Sequence, residues 1–379
     1  MLIAHISDTH LGAAQFNLRD REEDVYEAFD EIIQTVIKDR VEIVIHSGDI
    51  LDSAKTWGTP LIKLYNGLRQ LYERGIKFYF TLGEHDISRI PETPSLFLFE
   101  RIGVAKYIGD GKPITYNGVT IVGLHKHRKT ESNQLISKLK SLDQQTLKYS
   151  GKKILVLHQG LYELHRYAGE ITASDLPRNF DYYALGHLHD RFEKRFRELK
   201  GIICYPGSID AMPGEGVKET EKGFYIVDMS GEEAHPQWVN IKSSRKHMCV
   251  ELEYDRIDTS IRELVEKVKG LQKKPVLSIK IKGKNLSNER ISRSLENLNP
   301  YTLYLEWEPI VEKEARYTYI SKPSDLDEEM FNLAVNILGA KDKAEFAVKE
   351  LLPLLSNGRI NEAFDLTWKV YEEGGLNLD

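Results

Sequence analysis

Cysteine is scarce in this 379-residue chain: Cys204 and Cys249 stand far apart and form no C-x-x-C pair. That excludes a disulfide framework and reads as two reduced intracellular thiols. Long apolar runs are missing too. None approaches the roughly 20 residues that a bilayer-spanning helix needs, so no membrane partner is expected. Met1-Leu2-Ile3-Ala4-His5 runs straight into a strand-like segment without a basic n-region or a small-residue cleavage site, so no secretory leader is expected. Positive charge is not in excess: the formal net charge is −6. A protein that grips nucleic acid over its whole surface is usually basic. Nucleic-acid contact here must therefore be a local patch or be shared with a partner. Internal repeats and low-complexity tracts are absent as well. What is present is 41% hydrophobic residues, enough for about two or three globular domains. The charged fraction of 29%, rich in Lys and Glu, leans toward a thermophile and decides nothing about function.

The stretch 1–240 alternates β-branched runs with amphipathic patterns. Strands are predicted over Leu2–Ser7, Glu42–Ser47, Lys77–Leu82, Lys153–Leu157 and Asp181–Leu185, with further ones at Gly118–Gly123 and Gly223–Met229. Val25, Ala28, Phe29, Ile32, Ile33 and Val36 recur at helical spacing within Arg21–Lys38, and Leu61, Leu64, Tyr65, Leu68 and Leu71 within Pro60–Glu73. The alternation argues for a layered α/β fold. The stretch 243–311 reads as a βαβαβ unit, too small to be stable alone and so expected to dock on the first. Residues 312–326 are polar, contain Lys322-Pro323-Ser324, and read as a linker. The stretch 327–379 carries three apolar helical stripes, with Pro353 expected to kink or end the second and Gly358 to break the chain.

Five short motifs follow the apolar runs: Asp8-Thr9-His10, Gly48-Asp49, Gly83-Glu84-His85-Asp86, His158 in Leu-His-Gln-Gly, and Gly186-His187-Leu188-His189. In open α/β sheets ligands bind beyond the carboxyl ends of strands, so loops from neighbouring strands can bring these residues to one spot. Asp8/His10 and His187/His189 are spaced i, i+2, which in extended backbone points both members the same way. Mixed His and carboxylate ligands suit Mn²⁺, Fe²⁺ or Zn²⁺ better than Ca²⁺ or Mg²⁺. One carboxylate can bridge two such ions, which then activate water and hold a phosphate. Any one motif alone is weak, because a lone His near a strand end is usually a satisfied structural residue. Five in a workable order point to a two-metal phosphoester site.

These residues resemble the calcineurin-like metallophosphoesterases, whose pattern is D-x-H, GD, GNH[DE], H and GHxH in this order. His5-Ile6-Ser7-Asp8-Thr9-His10-Leu11-Gly12, Gln15-Phe16, Arg21-Glu22-Glu23, Val156-Leu157-His158-Gln159-Gly160, Tyr183-Ala184-Leu185-Gly186-His187-Leu188-His189 and Tyr205-Pro206-Gly207-Ser208 look like its archaeal Mre-type, SbcD-like branch of double-strand-break repair nucleases. The match is strong over the first domain, and one of order and type beyond it. It implies a four-layer α/β/β/α domain, a small α/β capping domain that positions DNA ends, and a C-terminal helical partner-binding segment. It also implies two Mn²⁺ (other divalent ions remain open). Asp8, His10, Asp49 and His189 would hold one ion, and Asp49, Glu84, His158 and His187 the other. His85 would face the scissile phosphate, with Asp86 orienting it. The implied activity is 3′-to-5′ exonuclease and single-strand endonuclease on DNA, in the cytoplasm at chromosomal DNA.

One ligand position departs from the pattern: the family has Asn where this chain has Glu84. The extra charge leaves the expected ions less positive, so the expectation is retained metal binding with altered, reduced activity. Asp52, where some relatives carry His, is a second departure. Expected DNA contacts are phosphate contacts, because arbitrary ends need no base code. Candidates are Arg19, Arg21, Lys55, Arg89 and the run His125-Lys126-His127-Arg128-Lys129, with Lys126 and Arg128 foremost. Leu96-Phe97-Leu98-Phe99 is either core or, as the resemblance suggests, part of a helical homodimer interface with Leu61–Leu71. The terminal stripes are either a folded cap or a helix pair docking on a partner, in this family an SMC-like coiled-coil ATPase of the Rad/SbcC type. Two rival readings stay open: a small-molecule metallophosphoesterase, and a scaffold silenced by Glu84.

Overall fold

The chain is described from a computed structural model that covers residues 1–311, 326–356 and 359–372. Strands β1 (Leu2–Ile6), β2 (Ile43–His46), β3 (Lys77–Phe80) and β4 (Lys106–Tyr107) pair in parallel. The chain then enters a second sheet, with β5 (Ile114–Tyr116), β6 (Val119–Leu124), β7 (Lys152–His158), β8 (Tyr182–Gly186), β9 (Phe192–Arg195) and β10 (Ile202–Tyr205). It returns to the first through β11 (Gly223–Asp228) and β12 (His235–Asn240), β11 lying antiparallel to β1. Strand orders are β12-β11-β1-β2-β3-β4 and β5-β6-β7-β8-β10-β9. Parallel neighbours put the carboxyl ends of β1, β2 and β3 on one edge, and those of β6, β7 and β8 on one edge of the other sheet.

Residue alternation sets the layers. Ile3, Ile43 and Ile45 of the first sheet share a buried cluster with Ile121, Ile154, Val156 and Ala184 of the second. The opposite face of the first sheet, with Ala4, Val44 and Phe78, packs on Phe29, Ile32 and Ile33 of α1 (Arg19–Lys38) and Leu64, Leu68 and Leu71 of α2 (Thr59–Glu73). After the five-residue helix α3 (Phe97–Arg101), α4 (Ser132–Thr146) covers the far face of the second sheet through Leu135, Leu139 and Leu142. The result is a four-layer α/β/β/α domain. Both faces of each sheet are covered, so its strands read as continuous apolar runs. Strands β4, β5, β9, β10 and β12 and helix α4 carry no clear periodic signal in the sequence. They are short or mostly exposed, or, in α4, carry a stripe only a few leucines wide.

The unit that follows has strands β13 (His247–Glu253), β14 (Val276–Gly283) and β15 (Tyr304–Val311), all parallel, with α5 (Ile257–Lys269) and α6 (Asn288–Leu295) between them. Met1–Glu312 forms one compact unit. Asp24, buried on α1, meets Arg21 of its own helix, Arg245 at 2.6 Å and Lys273 at 2.8 Å. Phe16 stacks on Tyr304 at 3.7 Å between ring centroids.

The second compact unit contains α7 (Leu326–Leu338), α8 (Lys341–Phe346), α9 (Leu352–Ser356) and α10 (Ile360–Glu372). The kink expected at Pro353 takes the form of a π-helical turn, Ala347–Leu351, just before it. Nearly all of the expected linker at 312–326, and Gly358, lie outside the described residues. Among those described, no helix is long and apolar enough to cross a membrane.

Candidate metal centre

Loops after β1, β2, β3 and β8, and the last residue of β7, meet where the two sheets' carboxyl ends converge. Backbone bonds lace the first two loops together: Asp8 N donates to Gly48 O, His10 N to Asp49 O and Leu11 N to Ile50 O. The motif glycines permit the approach. A Cβ on Gly48 would sit 2.4 Å from His158 Nδ1, and one on Gly83 2.1 Å from Asp49 Oδ1. The i, i+2 argument for Asp8 and His10 is corrected by the backbone. Both are left-handed, at φ 49° and 41°, as is Asp49 at 54°. Asp8 and His10 are aimed by a tight turn and not by extended chain. Such conformations cluster at functional sites.

Hydrogen bonds fix which ring nitrogen faces the centre. Ser47 O can only accept, so His158 Nδ1 donates to it at 2.8 Å. His189 Nδ1 donates to Glu215 Oε1 at 2.6 Å, and His85 Nδ1 to Asp52 O at 2.8 Å. Each ring thus turns Nε2 inward. His158 Nε2 lies 3.2 Å from Asp49 Oδ2, buried and without a hydrogen-bond partner. His189 Nε2 faces His10 Nε2 at 3.2 Å. Neutral rings so placed converge lone pairs on two buried carboxylates, an arrangement that needs a cation. Protons alone answer it through opposed shifts. Burial would lower the His158 pKa, but Asp49 and Asp8 raise it to about 9. Burial would raise that of Asp49, but His158 and His10 hold it far below the carboxylate range. A divalent cation serves the same lone pairs, and the mixed N/O donors fit a first-row transition metal.

Potential ligand atoms of Asp8, His10 and His189 lie within 4.8 Å of one another, as do those of Asp8, Asp49 and His158 and of Asp49, Glu84 and His85. A further such group is His10, Asp52 and His85. Asp49 Oδ1 is fixed by His85 N at 2.8 Å. His187 joins none of these groups. Its backbone N donates to both Asp8 oxygens, and its Nδ1 lies 3.9 Å from Glu84 Oε2. Burial first, and the Lys126 ammonium second, lower its pKa to about 2, so the ring stays neutral.

Three expectations change. Asp86 does not orient the His85 ring: its buried carboxylate accepts from Ile50 N, Leu51 N and Gly83 N, tying the β2 and β3 loops together. The carbonyl of Asp52 orients His85 instead. Lys126 is not part of an exposed basic patch. It is buried and directed into the centre, 2.8 Å from Glu170. Arg21 is buried in ion pairs with Asp24 and Asp210. Arg19, Lys55, Arg89 and Arg128 are exposed. Glu215, Glu170 and the carbonyl of Asp52 are missing from the sequence reading. Glu215 lies in a loop with Glu219 and Glu221, and no spacing marks which acid turns inward.

A family profile for calcineurin-like phosphoesterases matches residues 1–191, and the chain belongs to that family. Its donor set and family together make this a divalent-metal site. At finer grain, the chain is 31% identical to the DNA double-strand break repair protein Mre11 of Sulfurisphaera tokodaii, over 93% of this chain and 96% of that protein. The Methanocaldococcus jannaschii protein of the same name is 34% identical over 74% and 77%, and that of Saccharolobus solfataricus 30% over 80% of each. The chain is a member of this archaeal Mre11 family.

Glu215 anchors the His189 ring. Burial would raise its pKa, but His189 and Lys222 hold it at about 2, so it stays a carboxylate. Such partners of a ligating His typically carry a 10–100-fold effect on metal affinity. Glu215→Ala should weaken Mn²⁺ binding by about that factor in a paramagnetic-resonance titration. Unchanged affinity would remove Glu215 from the site.

Proposed function

We propose that the chain is a metal-dependent DNA nuclease of double-strand-break repair, hydrolysing phosphodiesters with two Mn²⁺ as 3′-to-5′ exonuclease and single-strand endonuclease. The observation that carries the reading is the convergence of His10, His158 and His189 Nε2 with the Asp8 and Asp49 carboxylates. Asp8, His10, Asp49 and His189 would hold one ion, and Asp49, Glu84, His158 and His187 the other. When bound, the ions would supply Lewis acidity to the phosphate and activate water. His85, half-exposed and fixed at Nδ1 by Asp52 O, has Nε2 3.9 Å from Glu84 Oε1 and offers it to the leaving oxygen. Burial would lower its pKa, but Asp49, Asp52 and Glu84 raise it, favouring the protonated, acid form. Asp86 acts as a positioning residue for the two loops. The relatives' DNA-repair name, and a β13–β15 unit and terminal helices beyond the metal centre, together favour DNA over a small ester; the β13–β15 unit is proposed as the end-positioning cap.

Exposed Arg19, Lys55, Arg89 and Arg128 suit phosphate contacts. Ile62, Tyr65 and Tyr72 on α2 and Leu98 and Ile102 on and beside α3 are exposed, a face suited to a homodimer. Phe97, by contrast, packs on the core. In the terminal unit, Leu333, Ile337, Phe364 and Trp368 are exposed, which suits docking on an SMC-like coiled-coil ATPase near chromosomal DNA.

Circular single-stranded DNA and p-nitrophenyl phosphate esters, each with Mn²⁺, separate the readings. The nuclease reading expects nicking, lost by about 10²–10⁴-fold in His85→Ala while Mn²⁺ still binds. Ester hydrolysis with intact DNA supports the small-molecule reading, and neither activity supports a scaffold. Leu98→Glu with Ile62→Glu should sediment as a monomer; an unchanged dimer discards that face. A chain ending at Pro323 should lose the ATPase in co-purification, and retained binding discards the tail as the dock.

A further inference from the structure

Lys126 is an ammonium placed among ligands. Its backbone N donates to Leu82 O at 2.8 Å, which sets it beside the Gly83-Glu84-His85 loop. Its buried Nζ lies 2.8 Å from Glu170, 3.5 Å from Glu84 Oε2 and 3.4 Å from each ring nitrogen of His187. A buried ammonium must be paired. Glu170 is one partner. The Glu84 carboxylate, at 3.5 Å, is the second. Glu84 and His187 are two of the four residues assigned above to the second ion.

We propose that Lys126 is a built-in competitor of the second metal ion: its ammonium shares Glu84 and His187 with that ion and makes the two metal sites unequal in affinity. The proposal rests on the two-ion reading of the centre. To be bound there, the second ion would have to draw Glu84 away from Lys126 and share the His187 ring that the ammonium already faces, and a fixed positive charge at this range opposes it directly. Around the first ion, among Asp8, His10 and His189, the contacts described bring no ammonium to a side-chain ligand atom; Lys222 Nζ reaches His189 only at its backbone O, at 3.4 Å. Glu170 sets the balance. It holds Lys126 back from Glu84, so removing its charge delivers the ammonium more fully to the metal ligands.

Mn²⁺ titration followed by paramagnetic resonance reads both sites on the full chain, with folding of each variant checked by circular dichroism in EDTA. Wild type should bind two ions at least 10-fold apart in affinity. Lys126→Met should tighten the weaker site at least 10-fold and leave the tighter one within 2-fold. Glu170→Gln should move the weaker site the other way, and do so far less in a Lys126→Met background. If Lys126→Met does not fold, Glu170→Gln decides, and a weaker site it leaves unmoved overturns the proposal. So does a Lys126→Met weaker site within 2-fold of wild type. Wild type binding fewer than two ions instead defeats the two-ion reading itself, whatever the variants do. Glu84→Asn removes the shared carboxylate, so Lys126→Met added to it should change weaker-site affinity by less than in the Glu84 chain.

Discussion

Asp49 occupies the place where the carboxyl ends of the two sheets meet, and both of its oxygens are committed. Oδ1 takes the backbone N–H of His85, and Oδ2 faces His158 Nε2 at 3.2 Å and His10 Nε2 at 3.8 Å. The loops around it have no slack. Gly83 cannot carry a Cβ without striking this carboxylate, and Asp49 itself is left-handed. A buried carboxylate ringed by imidazoles is tolerable only with positive charge at its centre. The four-layer core supplies the rigidity that holds so costly a cluster together.

Around that carboxylate the protein chooses ring tautomers with groups that can only accept. Ser47 O, Asp52 O and Glu215 each take an Nδ1 proton, and each leaves an Nε2 for chemistry. Two acceptors are backbone carbonyls whose positions follow from the strand ends. The third is a side chain on a loop reaching back from β10, held by Lys222. The site therefore depends on elements spread across both sheets, and its geometry is a property of the whole domain.

The charge balance of the centre turns on Glu84, a carboxylate grouped with Asp49 and His85. The ammonium nearest it, Lys126, arrives from the loop after β6 and is shared with Glu170. Lys126 is therefore buried among the residues of this cluster and not on an outer face, although in sequence it sits inside a basic run. Arg21 is likewise buried, with Asp24 and Asp210, in the ion cluster through which α1 meets Arg245 and Lys273.

The sequence by itself determined the layered α/β fold and the family, because strand ends and motif residues are local and ordered along the chain. It also marked the first-row donor set, since His and carboxylate types are visible as letters. The left-handed turns at Asp8 and His10 were not legible, because Asp-x-His reads the same in extended or turned backbone. Nor was the inward turn of Lys126, whose backbone N bonds Leu82 O in the loop after β3. Glu215 was hidden among neighbouring acids, and Asp86 was misplaced because its partners are backbone N–H groups with no sequence signature. Only the tertiary structure decided these, since each depends on a contact between loops of different strands, and contacts of that kind exist only once the sheets have packed.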